Sequence, residues 1–334
     1  MSAANPAPGP MRWGLVGPGK IAQRFAGALA TLPDARLHAV VGRDPARAQA
    51  FAARWGCTVC ADVATMLADP ALDAVYIATT HNAHAEVAAA CLRAGKPVLC
   101  EKPLAANGAQ AQALVALARE RGVFLMEALW TRFLPALAVI EGWLREGAIG
   151  RIRVLQSSFG FNAPYDPASR NFDPALAGGT LLDIGVYCLS LSQWVMARQG
   201  MHDATRMQGF GVLAPTGVEQ RCAVNMQYAD GTLSQFICAF DSTHDNRLRI
   251  YGELGHIELG PQFWQATEAV LHRNGEPALR VPAPFECNGF EYQIRVAMAS
   301  IRAGELECAP IPHAQTLAVQ AQIDELRRAL GARP

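Results

Sequence analysis

The sequence predicts an α/β chain: an N-terminal, doubly wound parallel sheet, then an α+β domain built on a large, mainly antiparallel open sheet. Three observations carry this. A glycine-rich turn, Gly17-Pro18-Gly19-Lys20-Ile21-Ala22, lies between an apolar run and an amphipathic segment. Apolar runs and amphipathic segments keep alternating as far as Arg121, the rhythm of repeated strand–helix–strand units. After about Ala128 the pattern lengthens into segments of period two, as in half-buried strands. A first, dinucleotide-binding Rossmann domain over 1–130 and a second, substrate-binding and dimerisation domain over 131–334 are therefore expected.

Trp13 to Val16 forms the first strand, and Ile21, Phe25, Ala28, Leu29 and Leu32 recur at helical spacing until Pro33. In that setting the pattern G-x-G-x-x-A marks a dinucleotide turn. Gly17 permits the tight turn, Gly19 lets a pyrophosphate approach the backbone, and Ala22 lets helix and strand pack closely. The helix start offers free N–H groups and a positive dipole end to the phosphates. A turn that holds no ligand shares this local pattern, so the rest of the domain must decide.

Leu37 to Val41, Ala74 to Ala78 and Val98 to Cys100 read as further strands, with helices over Pro45 to Trp55, Ala85 to Ala94 and Ala109 to Arg121. Ligands of such sheets bind beyond the carboxyl ends of the strands. There the cofactor-binding set falls together: Gly17, Pro18, Gly19, Lys20, Ile21, Thr79, Thr80, His81, Glu101 and Lys102. His84 follows, either beside the cofactor ribose or in catalysis. The second strand runs into Arg43. An acidic residue about twenty positions after the glycines usually binds the ribose of NAD, but Asp44 comes one residue late. Arg43 and Arg47 stand four apart, placed to grip a 2′-phosphate, so NADP is preferred to NAD. The alternative is a solvated helix face, with Asp44 capping ahead of Pro45.

Composition suits two domains: 334 residues, 51% of them hydrophobic, with formal net charge +0. That balance gives no electrostatic reason to expect nucleic acid or an anionic membrane as partner. Met1 to Pro10 lacks the pattern of a secretion signal, and no uncharged apolar run approaches the ~18 residues of a membrane span. Nine scattered cysteines fit reduced thiols and a cytoplasmic setting. Cys57-Thr58-Val59-Cys60 has no second C-x-x-C to complete a zinc site and falls in a strand region, so no metal is expected.

In the second half Arg151 to Phe161, Arg206 to Leu213, Cys222 to Tyr228, Leu233 to Phe240 and Arg247 to Tyr251 read as strands, with Asp230-Gly231 and Glu253-Leu254-Gly255-His256 as turns. A sheet with one face uncovered suggests a homodimer. Within this half, Gly178-Gly179-Thr180-Leu181-Leu182-Asp183-Ile184-Gly185-Val186-Tyr187 leads into an apolar helix. Asp183 and Tyr187, four apart, share a helical face. Asp183 either pairs with Lys102 or a substrate hydroxyl, or is satisfied by backbone N–H groups while Tyr187 packs. His313 to Ala329 reads as an amphipathic helix that returns to the first domain or packs on the second sheet.

On these residues the chain resembles the family of glucose-fructose oxidoreductase and inositol dehydrogenase, from Met11 to about Leu330. The motifs are Arg12-Trp13-Gly14, Val98-Leu99-Cys100-Glu101-Lys102-Pro103, Phe124-Leu125-Met126-Glu127-Ala128-Leu129-Trp130-Thr131-Arg132-Phe133 and Leu182-Asp183-Ile184-Gly185-Val186-Tyr187. Tyr187, where many members carry histidine, points to the dihydrodiol and NADP-dependent D-xylose dehydrogenase branch. The resemblance implies hydride transfer between NADP and a secondary alcohol or carbonyl of a sugar or cyclic trans-diol. Lys102, Tyr187 and Asp183 are the implied catalytic residues. Lys102 should lower the phenol pKa of Tyr187 by proximity, and the roles of the two are interchangeable at this level. The implied substrate-binding set is Trp130, Arg132, Phe159, Asp183, Tyr187 and Trp264, with His81, His84 and His244 as further hydrogen-bonding groups. Lys102-Pro103 is a candidate cis bond. Some relatives bind dinucleotide as sensors or regulators; a lysine and tyrosine aimed at the nicotinamide favour the enzyme.

Overall fold

A computed structural model describes residues 9–333, so the tail read over Met1 to Pro10 lies, up to residue 8, outside the described residues. The first sheet has six parallel strands: β1 (Met11–Val16), β2 (Ala35–Val41), β3 (Thr58–Val59), β4 (Ala74–Ile77), β5 (Val98–Glu101) and β6 (Leu125–Ala128). They stand in the order β3-β2-β1-β4-β5-β6, which reverses between β1 and β4 and opens a crevice at their carboxyl ends. Helices α1 (Lys20–Leu29), α2 (Pro45–Trp55), α3 (Val63–Leu67), α4 (His81–Arg93) and α5 (Gly108–Arg121) connect them. Covered on both faces, β4 to β6 are buried throughout, which is why they read as apolar runs without alternation. Phe25 of α1 stacks on Tyr76 of β4 at 3.8 Å between centroids and meets Trp13 edge-on, holding the first helix close behind the glycine turn.

The second sheet has eight strands in the order β14-β13-β12-β11-β7-β10-β9-β8. These are β7 (Ile152–Gly160), β8 (Arg206–Leu213), β9 (Glu219–Gln227), β10 (Leu233–Ala239), β11 (Leu248–Gly252), β12 (Gly255–Leu259), β13 (Glu268–Arg273) and β14 (Leu279–Pro282). Every neighbouring pair is antiparallel except β7 with β10. Strand β10 alternates as predicted: Ser234, Phe236 and Cys238 face inward, Leu233 and Ile237 outward. Gly231 turns β9 into β10 at φ +87°, with Thr232 N donating to Asp230 Oδ1.

Helices α6 (Pro135–Arg145), α7 (Val186–Ala197), α8 (Phe290–Arg302) and α9 (His313–Leu330) complete the fold. Val186 to Met196 of α7 are all buried. The segment Pro174–Ala197 is long and apolar enough to cross a membrane by composition, yet 89% of its apolar window is buried within the fold, as befits a core helix. Helix α9 settles the choice left open for it by packing on both halves. It touches α5, where Gly108 N donates to Asp324 Oδ2, and it touches α7 and β8.

Candidate functional site

A cleft of about 1300 Å³ runs along the carboxyl ends of β1, β2, β4 and β5 to the start of α7. At one end lies the glycine turn. Gly17 sits at φ +93°, and a Cβ there would come 2.7 Å from the Ala78 carbonyl oxygen, so only glycine lets β1 turn this tightly against β4. A Cβ on Gly19 would meet nothing within 4 Å: that side faces open cleft. No side chain caps α1, leaving its first N–H groups available to an anion. At the far rim Asp44 accepts from Arg47 N at 3.1 Å and caps α2, with Pro45 in the first turn, while Arg43 and Arg47 line the cleft with exposed side chains. Asp44 thus caps α2 as the alternative reading expected, and the two arginines stand at the rim of the cleft.

At the other end β5 delivers Glu101 and Lys102, and the Lys102-Pro103 bond is cis. Lys102 Nζ reaches into the second half of the chain, donating to the Asp183 carbonyl oxygen at 2.6 Å and to its Oδ1 at 2.9 Å. Asp183 lies in a π-helical turn, Leu181–Gly185, that leads into α7; such turns re-aim side chains and recur at functional sites. Arg170, from the loop before it, forks both carboxylate oxygens at 3.2 Å each, and His81 Nε2 stands 3.9 Å from Oδ1. Tyr187 Oη accepts from Trp130 Nε1 at 3.3 Å, and Lys102 Nζ is 5.2 Å from the Tyr187 ring centroid. Lysine, carboxylate and phenol thus converge from two sheets, and Asp183 is ion-paired instead of capped by backbone.

The electrostatics follow from burial against pairing. Burial alone would lower the Lys102 pKa, but the Asp183 carboxylate and Tyr187 together outweigh it and hold the ammonium above its ordinary pKa. Burial would push Asp183 toward its neutral form; the charges of Lys102 and Arg170 instead hold it well below the carboxylate range. For Tyr187 the balance goes the other way, which corrects the expected lowering. Burial raises the phenol above its ordinary value and Lys102 only partly opposes it, because the negative charges of Glu101 and Asp183 act in the same direction as burial. Burial also lifts Glu101 to about 7, against a 2.5 Å hydrogen bond donated by Tyr76 Oη. It drops His81 to about 3 and His84 to about 4, leaving both neutral near pH 7.

The expected site residues divide clearly. Gly17, Pro18, Gly19, Lys20, Ile21, Arg43, Arg47, Thr79, Thr80, His81, His84, Glu101, Lys102, Trp130, Phe159, Asp183, Tyr187 and Trp264 all line this one cleft. Phe159 and Trp264 stack face to face, nearly parallel, with centroids 3.5 Å apart. His84 is a brace: its ring nitrogens contact the Pro103 carbonyl at 2.8 Å and the Thr79 carbonyl at 3.2 Å, tying the ends of β5 and β4. His244 contacts Ser242 Oγ away from the cleft lining. Arg132 is a correction. Its guanidinium is buried behind the site on Ser190 Oγ, the Pro310 carbonyl and Gln315 Oε1. The 3₁₀ turn Trp130–Phe133 points Trp130 into the cleft and Arg132 toward α7 and α9. Arg170 and Arg24 also line the cleft; Arg170 lies in a polar loop and Arg24 on the polar side of an amphipathic helix, both of which look like ordinary surface in the sequence.

A dinucleotide fold whose crevice ends in lysine, carboxylate and phenol defines the class: an oxidoreductase of the nicotinamide type. Residues 11–129 match the GFO_IDH_MocA oxidoreductase family with its NAD-binding Rossmann fold, and residues 138–258 match the GFO/IDH/MocA C-terminal domain. The chain belongs to this family. It is 35% identical over 329 residues to a trans-1,2-dihydrobenzene-1,2-diol dehydrogenase of Macaca fuscata fuscata, covering 96% of this chain and 97% of that one. The Homo sapiens enzyme of the same name is 34% identical over 329 residues, with the same shares covered. Among solved structures, a 3-ketoreductase from Actinomadura kijaniata in complex with NADP and TDP-benzene superposes with TM-score 0.84 at 27% identity, over 97% of this chain and 98% of that chain. An aldose-aldose oxidoreductase from Caulobacter crescentus gives TM-score 0.86 at 25% identity, over 96% and 97%.

Proposed function

We propose that the protein transfers hydride between NADP and a secondary alcohol or carbonyl of a sugar or cyclic trans-diol. The carrying observation is the convergence of Lys102, Asp183 and Tyr187 in the same cleft as an uncapped glycine turn. The turn fits the coenzyme: Gly19 leaves room where a pyrophosphate needs it, Lys20 and Ile21 offer N–H groups, and Arg43 and Arg47 would hold a 2′-phosphate. When bound, NADP supplies the nicotinamide carbon that gives or takes the hydride. The named relatives act on dihydrodiols, ketones and aldoses, which supports a polyhydroxylated ring as substrate.

The residues divide the remaining work. Lys102 has three N–H donors, two of them engaged by Asp183, and the third is free for the substrate oxygen, where it stabilises developing alkoxide charge. Tyr187 keeps its proton at neutral pH and is therefore a ready acid in reduction; in oxidation it serves as base as pH rises. Trp130 Nε1 steadies the phenolate when the proton leaves. Asp183 and Arg170 hold Lys102 in register. The stacked rings of Phe159 and Trp264 line the cleft with aromatic surface that suits the apolar face of a ring. A sensor would have no use for a buried ammonium beside a phenol. A panel of aldoses, inositols and trans-dihydrodiols with NADP, followed by the absorbance of reduced nicotinamide, tests the reading. Turnover with NADP above NAD is expected; tight NADP binding with no turnover across the panel would leave a sensor.

The remaining expectations rest on the second sheet and the cysteines. Division near residue 130 into nucleotide and substrate domains matches the change from parallel to antiparallel sheet. Phe210 and Val212 of β8 and Leu233 and Ile237 of β10 are exposed apolar residues, which supports a homodimer through the open sheet. Light scattering that shows a monomer at micromolar concentration would count against it. We read the nine cysteines, scattered and mostly buried, as reduced thiols of a cytoplasmic protein; Cys222 and Cys238 face each other on neighbouring strands with sulfurs 3.2 Å apart.

A further inference from the structure

The substrate end of the cleft holds three cations, Arg24, Lys102 and Arg170, and they are not equivalent. Lys102 and Arg170 share one carboxylate, Asp183. Arg24, from α1, hydrogen-bonds only neutral groups, with Glu291 and Glu101 nearby but not in contact: its Nε and NH2 donate to the Asn288 carbonyl oxygen at 3.2 and 2.7 Å, and its NH1 to Gln265 Oε1 at 3.3 Å. Of the five N–H donors of a guanidinium these contacts use three, leaving one on each terminal nitrogen. The group is half-buried with its Cζ over the Trp130 ring, 4.3 Å from its centroid, and Trp130 Nε1 donates to Tyr187 Oη. The guanidinium and the oxygen that would move the substrate's proton therefore flank the same indole. A fixed cation with spare parallel donors, in a cleft walled by aromatic rings, is matched by a planar anion.

We propose that Arg24 is a specificity-determining residue that binds a carboxylate on the substrate, so that the protein prefers an acidic polyol or sugar acid to the uncharged ring. This rests on the function proposed above and narrows its substrate class. The anchor would present the ring's hydroxyl or carbonyl to Lys102 and Tyr187 across the width of Trp130.

The experiment compares D-glucuronate with D-glucose, and D-galacturonate with D-galactose, as substrates of the wild type and of Arg24→Met, which keeps an apolar stem on Trp130. Wild type should favour the acid of each pair in kcat/KM. Arg24→Met should lose on the order of 10- to 100-fold more on the acid than on its neutral partner, the range for a hydrogen bond to a charged group. Should Arg24→Met fail to fold, Arg24→Lys keeps the charge without the fork and should retain only part of the preference. Calorimetric titration of the NADP-loaded wild type with the same four compounds is independent of turnover. Tighter binding of the acids that weakens in the variant supports the assignment even if none reacts, an outcome in which the hydride-transfer reading alone fails. Equal affinity for acid and neutral sugar overturns it. So does a loss of NADP affinity in Arg24→Met as large as the loss for the acid, since the guanidinium would then serve the coenzyme.

Discussion

Replacing Lys102 with methionine tests the chemistry most directly, because the structure separates the consequences for the fold from those for the reaction. Asp183 would lose the 2.6 and 2.9 Å contacts from Nζ but keep the Arg170 fork, so its buried carboxylate stays paired and the chain should still fold. The reaction has no such reserve. Removing one donor aimed at a developing oxyanion costs about 3–4 kcal/mol, or roughly 10²–10³ in kcat. A second effect has a definite sign. Lys102 is the main charge opposing the burial that raises the Tyr187 pKa, so its loss lifts that pKa further. In reduction Tyr187 must be protonated, and activity falls as pH rises through the phenol pKa; in the variant that alkaline limb should move to higher pH. In oxidation the phenolate is needed, so the rise of activity with pH should also move upward. The assay is steady-state kcat/KM against pH in both directions, with NADP affinity measured separately by fluorescence and expected to change little. A kcat within about threefold of wild type, or an alkaline limb that moves down, would refute the assignment of Lys102.

Arg43→Ala with Arg47→Ala should weaken NADP by at least about tenfold, as expected for losing charge-assisted contacts to a phosphate, and leave NAD nearly untouched; equal losses for both coenzymes would remove the clamp. Gly17→Ala and Gly19→Ala should behave oppositely. The first forces a side chain to φ +93° and onto the Ala78 carbonyl, and should lower the Tm along with NADP binding. The second meets only open cleft, so the Tm should hold while NADP affinity falls; retained affinity would mean that the pyrophosphate lies elsewhere. Glu101, whose pKa rises to about 7 on folding from about 4.3 when unfolded, contributes stability below the unfolded value that is lost as pH climbs through 7. Glu101→Gln should therefore flatten the urea stability profile between about pH 4.5 and 7, and an unchanged slope would place the titration on another group.

The parts of this site that were legible in the sequence are those where backbone geometry and chemistry make the same demand. Gly17 must turn against β4 and must also leave space for a ligand, so glycines appear at fixed offsets between a strand and a helix pattern. Lys102 and Asp183 are charges in apolar surroundings, each conspicuous because neither could be buried alone, and the structure pairs them across 81 positions of chain. Other features follow from placement that no local pattern encodes. Arg132 stood in a motif beside Trp130 and was assigned to the substrate with it, yet a 3₁₀ turn sends the two to opposite sides. Arg170 and Arg24 lie in stretches that read as solvated surface; their importance comes from a loop and a helix face that fold over the cleft mouth. The sign of the Tyr187 shift was missed for a related reason. Proximity to an ammonium can be inferred from two motifs, but the cost of burying a phenolate, and the negative charges of Glu101 and Asp183 beside it, depend on the packed environment. The same reasoning gives Arg24 its interest: a cation in a reactive cleft that touches no carboxylate, with Glu291 and Glu101 only nearby, keeps donors that a substrate is able to meet.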